Sequence, residues 1–262
     1  EWGITAEQLF LPAIRESERR ETFEQLLAAA EDAGIPVSYI KCGDEIRDSQ
    51  LRLLCLHPEE NTTLADANAY SECFYVEVFA KKMKQEAIDD RKANDASGAS
   101  AIGKISILLT GDVEGEGERQ LTQKLQALQE SQSLQESRSL QESRLLQESQ
   151  SLQESQSLQE SQSLQLTRRL QEQRGQREFR VDLLKVAHHG SGYSTGTEFL
   201  ATASPATAII SCGRNNSYGH PHEAVLERLS EEGIPCYITS RCGAVTIYER
   251  DGKILLKTFL QK

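Results

Sequence analysis

An α/β sheet protein is predicted by two features of this 262-residue sequence. The first is a set of three apolar runs of strand length, "KISILLTGD" at 104–112, "FRVDLLKVA" at 179–187 and "ATAIISCG" at 206–213, ending at or before small, polar or histidine residues. The second is the alternation of such runs with amphipathic helical patterns, which calls for helices packed on a sheet.

Taken in order, residues 19–33 place Phe23, Leu26, Leu27 and Ala30 at helical spacing, with Gly34 as the stop. "IPVSYIKCGDEI" and "SQLRLLCLHP" read as strands, and "ECFYVEVFA" at 72–80 alternates as a half-buried strand does. The polar segment 81–103, with "NDASGAS" inside it, is expected to be a flexible excursion joining two strands of a hairpin. After the third run come the loop "RNNSYGHPH" and the helix "EAVLERLSEEG". The chain then closes with three short strands, "IPCYITS", "GAVTIYER" and "KILLKTFLQ", split by Gly243 and the turn "RDGK".

Residues 121–178 stand apart. A hexapeptide close to "LQESQS" recurs with Leu at 128, 134, 140, 146, 152, 158, 164 and 170. A six-residue step turns a helix by about 600°, equivalent to 240°, so successive leucines fall on three faces and form no coiled-coil stripe. A β-helix would need small corner residues and apolar partners that Gln, Glu and Ser do not supply. The segment is expected to be a low-complexity insertion, helical or disordered and without chemistry, inside a domain formed by 1–120 and 179–262. A partner-binding helix is the alternative.

The formal charge is −11, which disfavours an ordinary basic nucleic-acid module unless a metal or a local basic patch offsets the field. The insertion does not cause it: Lys124, Arg138, Arg144, Arg168, Arg169, Arg174 and Arg177 nearly balance its eight glutamates. The six cysteines, Cys42, Cys55, Cys73, Cys212, Cys236 and Cys242, form no C-x-x-C pair. They are read as mostly buried free thiols, with a Cys236–Cys242 bridge as the alternative. No stretch is apolar enough to span a bilayer, so the piece itself is expected to be soluble. It begins at Glu1 and has Met83 as its one methionine, which leads us to expect a portion of something longer.

The chemistry-bearing residues cluster where the apolar runs end: Asp112 after the first, His188 and His189 after the second, and His220 and His222 in the loop after the third. In open α/β sheets, ligands gather outside the carboxyl ends of the strands. Asp and His are oxygen and nitrogen donors suited to zinc or manganese, and a carboxylate can bridge two ions. Taken singly, each feature has a plainer reading: "GD" is a turn or a helix cap, and "GHPH" is a loop in which His222 caps the next helix. Their combination carries the weight.

"ILLTGDVEGEGE", "VDLLKVAHHGSGYST", "IISCGRNNSYGHPHEAVLERL" and "GAVTIYE" resemble, in that order, the C-terminal metallo-β-lactamase-fold domain of the ComEC family of competence proteins, which take up DNA in bacteria. The upstream "LFLPAIRESERRETFEQLLAAAEDAGIPVSYIKCGDEI" and "LLCLHP" resemble it too. The resemblance covers nearly the whole chain except 81–103 and the repeat. It implies a partial, C-terminal portion of an αββα sandwich with a metal site at one edge. It also implies a metal-dependent hydrolase cutting DNA phosphodiesters of the strand that is not imported. Zinc or manganese, dinuclear in the complete parent, would be held by Asp112 as bridging ligand, by His189 and then by His188. Asp112, His220 and His222 would carry catalysis, the two histidines by contacting phosphate or moving a proton. Asn68 and Ser71 would line the site, with Ser191 also contacting substrate.

The implied partners are DNA and the transmembrane channel of a multi-pass parent in the cell membrane, with this domain on the extracytoplasmic side. The family's His-rich motif has no counterpart here, since His57 is the one histidine before His188. The chain is therefore expected to hold about half a metal site. Two other readings stay open: a hydrolase of another ester or phosphoester, and an inactive domain with a structural role.

Overall fold

The structure, a computed structural model, describes residues 6–60, 62–64, 66–79, 104–151, 181–250 and 253–260. Its centre is a seven-stranded mixed sheet in the order β3-β4-β5-β6-β7-β8-β9. The strands are β3 (Glu45–Arg47), β4 (Leu51–His57), β5 (Cys73–Phe79), β6 (Lys104–Leu109), β7 (Leu183–Lys185), β8 (Ala208–Ile210) and β9 (Cys236–Ile238). The run β3 to β6 is antiparallel, and β6 to β9 is parallel. Parallel neighbours need a crossover, and helices supply each one: α2 (Gly115–Ser151) follows β6, α3 (Thr197–Ala203) follows β7 and α4 (Glu223–Glu231) follows β8.

Two small pairs lie outside this sheet. β1 (Leu9–Pro12), which has no counterpart among the sequence expectations, pairs in parallel with β2 (Val37–Ile40) across α1 (Glu21–Asp32). β10 (Val245–Arg250) and β11 (Lys253–Thr258) form a terminal hairpin after the short helix α5 (Thr239–Cys242). The class is thus mixed α/β with a central mixed sheet. β5 and β6 are antiparallel neighbours, as a hairpin requires. Residues 81–103, which join them, and 152–178 of the repeat lie outside the described residues.

The core is one cluster in which Leu108, Leu184, Val186 and Ile210 from the sheet meet Leu121, Leu125, Phe199, Leu200, Val225 and Leu229 from the helices. Leu121 and Leu125 therefore belong to the fold, although they fall inside the stretch read as an insertion. They stand four residues apart on α2, on one face, and the helix packs there against β4 and α3. Gln129 Nε2 ties the same stretch to Thr202 O at 2.8 Å, and Leu128 packs against the cluster edge. One repeat later the 240° rotation takes Leu134 off that face, and it is 63 % exposed.

All six cysteines are free thiols, Cys55 and Cys73 being buried and the rest half-buried. Burial pushes the Cys55 thiol up to about 12 and Cys236 up to about 11, which leaves both protonated and unreactive at neutral pH. Among the described residues no helix is long and apolar enough to cross a membrane.

Candidate functional site

β6, β7 and β8 run in parallel, so their carboxyl ends open onto one edge, and the chain after each end turns sharply. After β6, Gly111 takes φ +52 with its Cα against Ser71, where a side chain would meet Ser71 Cβ at 2.9 Å. The Asp112 N–H then donates to Ser71 Oγ at 3.1 Å. After β7, His188 and His189 are both left-handed, at φ 43 and φ 55. Such a conformation costs a non-glycine residue roughly 1–2 kcal/mol, and two in succession mark a backbone held by its surroundings. The His188 N–H donates to Gly111 O at 3.2 Å, and Gly190, at φ +84, packs against Pro221 of the third loop.

These turns bring together the five residues picked out by strand ends. His189 Nδ1 lies 2.6 Å from Ser211 O. A carbonyl only accepts, so Nδ1 carries the proton and the lone pair sits on Nε2, 3.8 Å from Asp112 Oδ2. The His188 ring stands 5.5 Å from the His220 ring, and that ring 5.9 Å from His222, centroid to centroid. His188 Nδ1 approaches Glu114 Oε1 at 2.7 Å, in a geometry that is not aligned as a hydrogen bond. Asn216 fixes the third loop by accepting from the His220 N–H at 2.8 Å and donating to His220 O at 2.7 Å. Desolvation, then the neighbouring imidazoles of His188, His222 and His189, hold His220 below the ordinary histidine pKa, so it stays neutral around pH 7.

The other expected contacts are more distant from this edge. Ser71 reaches it through the Asp112 backbone. Asn68 sits in the 3-10 turn Asn68–Tyr70, where its own N–H donates to Asp66 Oδ1 at 2.9 Å. Ser191 is buried, and its hydroxyl accepts from the Tyr193 N–H at 3.3 Å inside the loop after His189. His57 is fully buried in β4, where Nε2 bonds Ala69 O at 2.5 Å and so pins the Asn68–Tyr70 turn.

Sequence reasoning missed Lys185. Its ammonium donates to Gly111 O at 2.6 Å and lies 3.6 Å from Asp112 Oδ1, and burial lowers its pKa against the pull of Asp112. The available signal was a cation inside the apolar run "VDLLKVA", where lysine is rarely buried without a partner. Glu118 on α2 was also missed. Its carboxylate accepts the N–H groups of Thr195 and Gly196, the latter at 2.9 Å, while Arg228 on α4 donates to Thr195 O, Ser194 O and Gly192 O. Helices on either side thereby clamp the loop that follows the two histidines.

Asp112 and His189 are the right donors in the right tautomer for a divalent ion, and a ligating histidine normally has such a backbone partner on its other nitrogen. They are only two, however, and Asp112 already faces the Lys185 ammonium. Among the described residues, no group of three or more His, Cys, Asp or Glu side chains is arranged to hold a metal ion. A zinc centre takes at least three protein donors, so these residues do not fit the expected zinc or manganese unaided.

A cleft of about 340 Å³ opens beside Ser71, lined by Pro12, Ile14, Phe23, Leu64 and Glu72 among others. Glu72 Oε1 is buried with no hydrogen-bond partner among the described residues, and burial pushes its carboxyl up to about 7. An ordinary glutamate ionises near 4.5. Between pH 4.5 and 7 the folded chain therefore holds a proton that the unfolded chain has released, and stability falls as pH rises through that window. Glu72→Gln is expected to be nearly neutral at pH 4.5 but stabilising by about 1–2 kcal/mol at pH 8, read as a rise of a few degrees in Tm at the higher pH alone. Equal effects at both pH values would contradict a charge origin.

No family model matches the sequence. Over 222 residues, 85% of the chain, it is 26% identical to ComE operon protein 3 of Bacillus subtilis (strain 168). It is 48% identical over 50 residues, 19% of the chain, to Recombination protein 2 of Haemophilus influenzae (strain ATCC 51907 / DSM 11121 / KW20 / Rd). With Competence protein ComA of Neisseria gonorrhoeae it shares 41% identity over 63 residues, 24% of the chain. The matched stretches span 19%, 6% and 9% of those three proteins, so the chain corresponds to at most about a fifth of any of them. The three similarities are thus to parts of proteins named for a ComE operon, recombination and competence.

Proposed function

We propose that this chain is the metallo-β-lactamase-like domain of a membrane-embedded DNA-uptake protein and that its imidazole-lined edge hydrolyses DNA phosphodiesters, those of the strand that is not imported. The observation that carries the reading is the convergence of Asp112, His188, His189, His220 and His222 on the carboxyl ends of three parallel strands. The names of the relatives support the DNA-uptake part of it.

Within a chain of charge −11, a phosphate at this edge would meet Lys185 and the imidazoles together with the carboxylates of Asp112 and Glu114. A water beside that phosphate has two proton acceptors within reach, the Asp112 carboxylate and the His189 Nε2 lone pair. As water attacks phosphorus and loses its proton to one of them, the departing oxygen needs a proton in return. His220 is neutral, so it serves that oxygen as a relay, giving its N–H while its other nitrogen takes a proton from the His188 or His222 ring beside it, which solvent reloads. A zinc or manganese ion belongs to this reading only with donors additional to the described residues.

In the complete parent protein, Asp112→Ala combined with His189→Ala is expected to cut the degradation of linear DNA by at least about 100-fold. An unchanged rate would reject the assignment. A small diester such as bis(4-nitrophenyl) phosphate, cleaved while DNA is left intact, would indicate a hydrolase of another substrate. The lack of a third donor among the described residues favours a second reading, a domain kept for its contacts alone. On that reading the parent binds no stoichiometric zinc or manganese, and the double variant behaves as wild type.

A further inference from the structure

Two aromatic side chains at this edge are left unused by the hydrolytic reading. Tyr193 is 85 % exposed and Tyr218 is 76 % exposed; among the described residues Phe259, on the terminal strand pair's side of the chain, is the other aromatic exposed to this degree, at 78 %. Each is attached to the imidazole cluster. Tyr218 lies flat on His220, with ring centroids 5.8 Å apart and planes within 12°. Tyr193 follows Gly192, whose backbone packs so closely on the His222 ring that a side chain there would stand 3.3 Å from Nδ1. The rings are therefore carried on two clamped loops: Arg228 and Glu118 hold the first, and Asn216 holds the second. Arg214, exposed on the second loop, adds positive charge there to an acidic molecule.

An exposed tyrosine that packs against nothing on its outer face leaves about 100–200 Å² of ring surface in water. Mounting beside a cluster of four imidazoles and the Lys185 ammonium suggests one class of occupant for that surface, a base of a nucleotide whose phosphate sits at the imidazoles. Bases in a duplex are stacked on one another and offer no free face to a ring, whereas those of a single strand do.

We infer that Tyr193 and Tyr218 are base-stacking platforms that flank the imidazole cluster and select single-stranded over double-stranded DNA. The inference rests on the DNA-directed reading above but concerns binding, not the chemical step. Stacking of one base on one ring accounts for roughly a tenfold change in affinity, and it depends on the π-face and not on the hydroxyl.

The test measures binding of a fluorescein-labelled oligothymidylate, and of a duplex of equal length, to the full chain by fluorescence anisotropy at fixed salt. Tyr193→Ala and Tyr218→Ala are each expected to weaken single-strand binding about tenfold, and the double variant about 100-fold, while Tyr193→Phe with Tyr218→Phe binds as wild type. Duplex binding should be weaker from the start and unaffected by all of them. The inference is overturned if the wild-type chain shows no preference for the single strand, if the alanine variants bind it normally, or if the phenylalanine pair fails as the alanine pair does. Degradation of linear DNA, assayed in parallel on the parent, reports on hydrolysis separately. Tyrosine-dependent binding with no cleavage would sink the hydrolytic reading and leave the platforms standing.

Discussion

Phe199→Ala is expected to destabilise the domain by about 3–5 kcal/mol, seen as a large drop in the urea midpoint with an unchanged slope. The ring is 2 % exposed and belongs to the one core cluster, on the seven-residue helix α3 that packs against α2. A helix of two turns has no stability of its own, so its packing is what keeps it folded. Because α3 begins directly after the loop carrying Gly192 to Thr195, losing Phe199 should also loosen the imidazole edge. A change below about 1 kcal/mol would mean that α3 is not integral to the core.

Glu118→Ala comes second, with an expected loss of about 2–4 kcal/mol. Burial raises the Glu118 pKa, and the N–H groups of Gly196 and Thr195 oppose that rise. The carboxylate thus costs free energy to desolvate, and the two backbone donors return part of it. Alanine removes the acceptor and strands both donors at the start of α3, whereas Glu118→Gln keeps one acceptor oxygen and should lose about half as much. Faster amide exchange at Thr195 and Gly196 in the alanine variant, with no change in β4 or β5, would locate the effect at the clamp. Uniform acceleration across the sheet would show that Glu118 acts on global stability instead.

The sheet was legible in the sequence wherever a strand is buried on both faces. "KISILL", "DLLK" and "TAII" are short apolar runs ended by small or polar residues, and they became β6, β7 and β8. The gathering of Asp112 with the four histidines followed from the same runs, because parallel strands deliver their ends to one side. What the sequence concealed are the pairings between distant residues. Glu118 and Gly196 are 78 positions apart, Lys185 and Gly111 are 74 apart, and neither pair leaves a local pattern. The inner limit of the insertion was obscured for a different reason. "LTQKLQALQ" has the composition of the repeat, yet Leu121 and Leu125 are placed to meet the core and Leu134 is not.

The two left-handed histidines offer a historical gauge. Glycine and asparagine adopt that backbone shape more readily than histidine, so a lineage in which this edge had ceased to work would gain stability by replacing residues 188 and 189 with either. Among descendants of a common ancestor, those keeping both imidazoles should be the ones in which the edge still does its chemistry. Drift to Gly or Asn at these two positions would date the point at which the domain became scaffold.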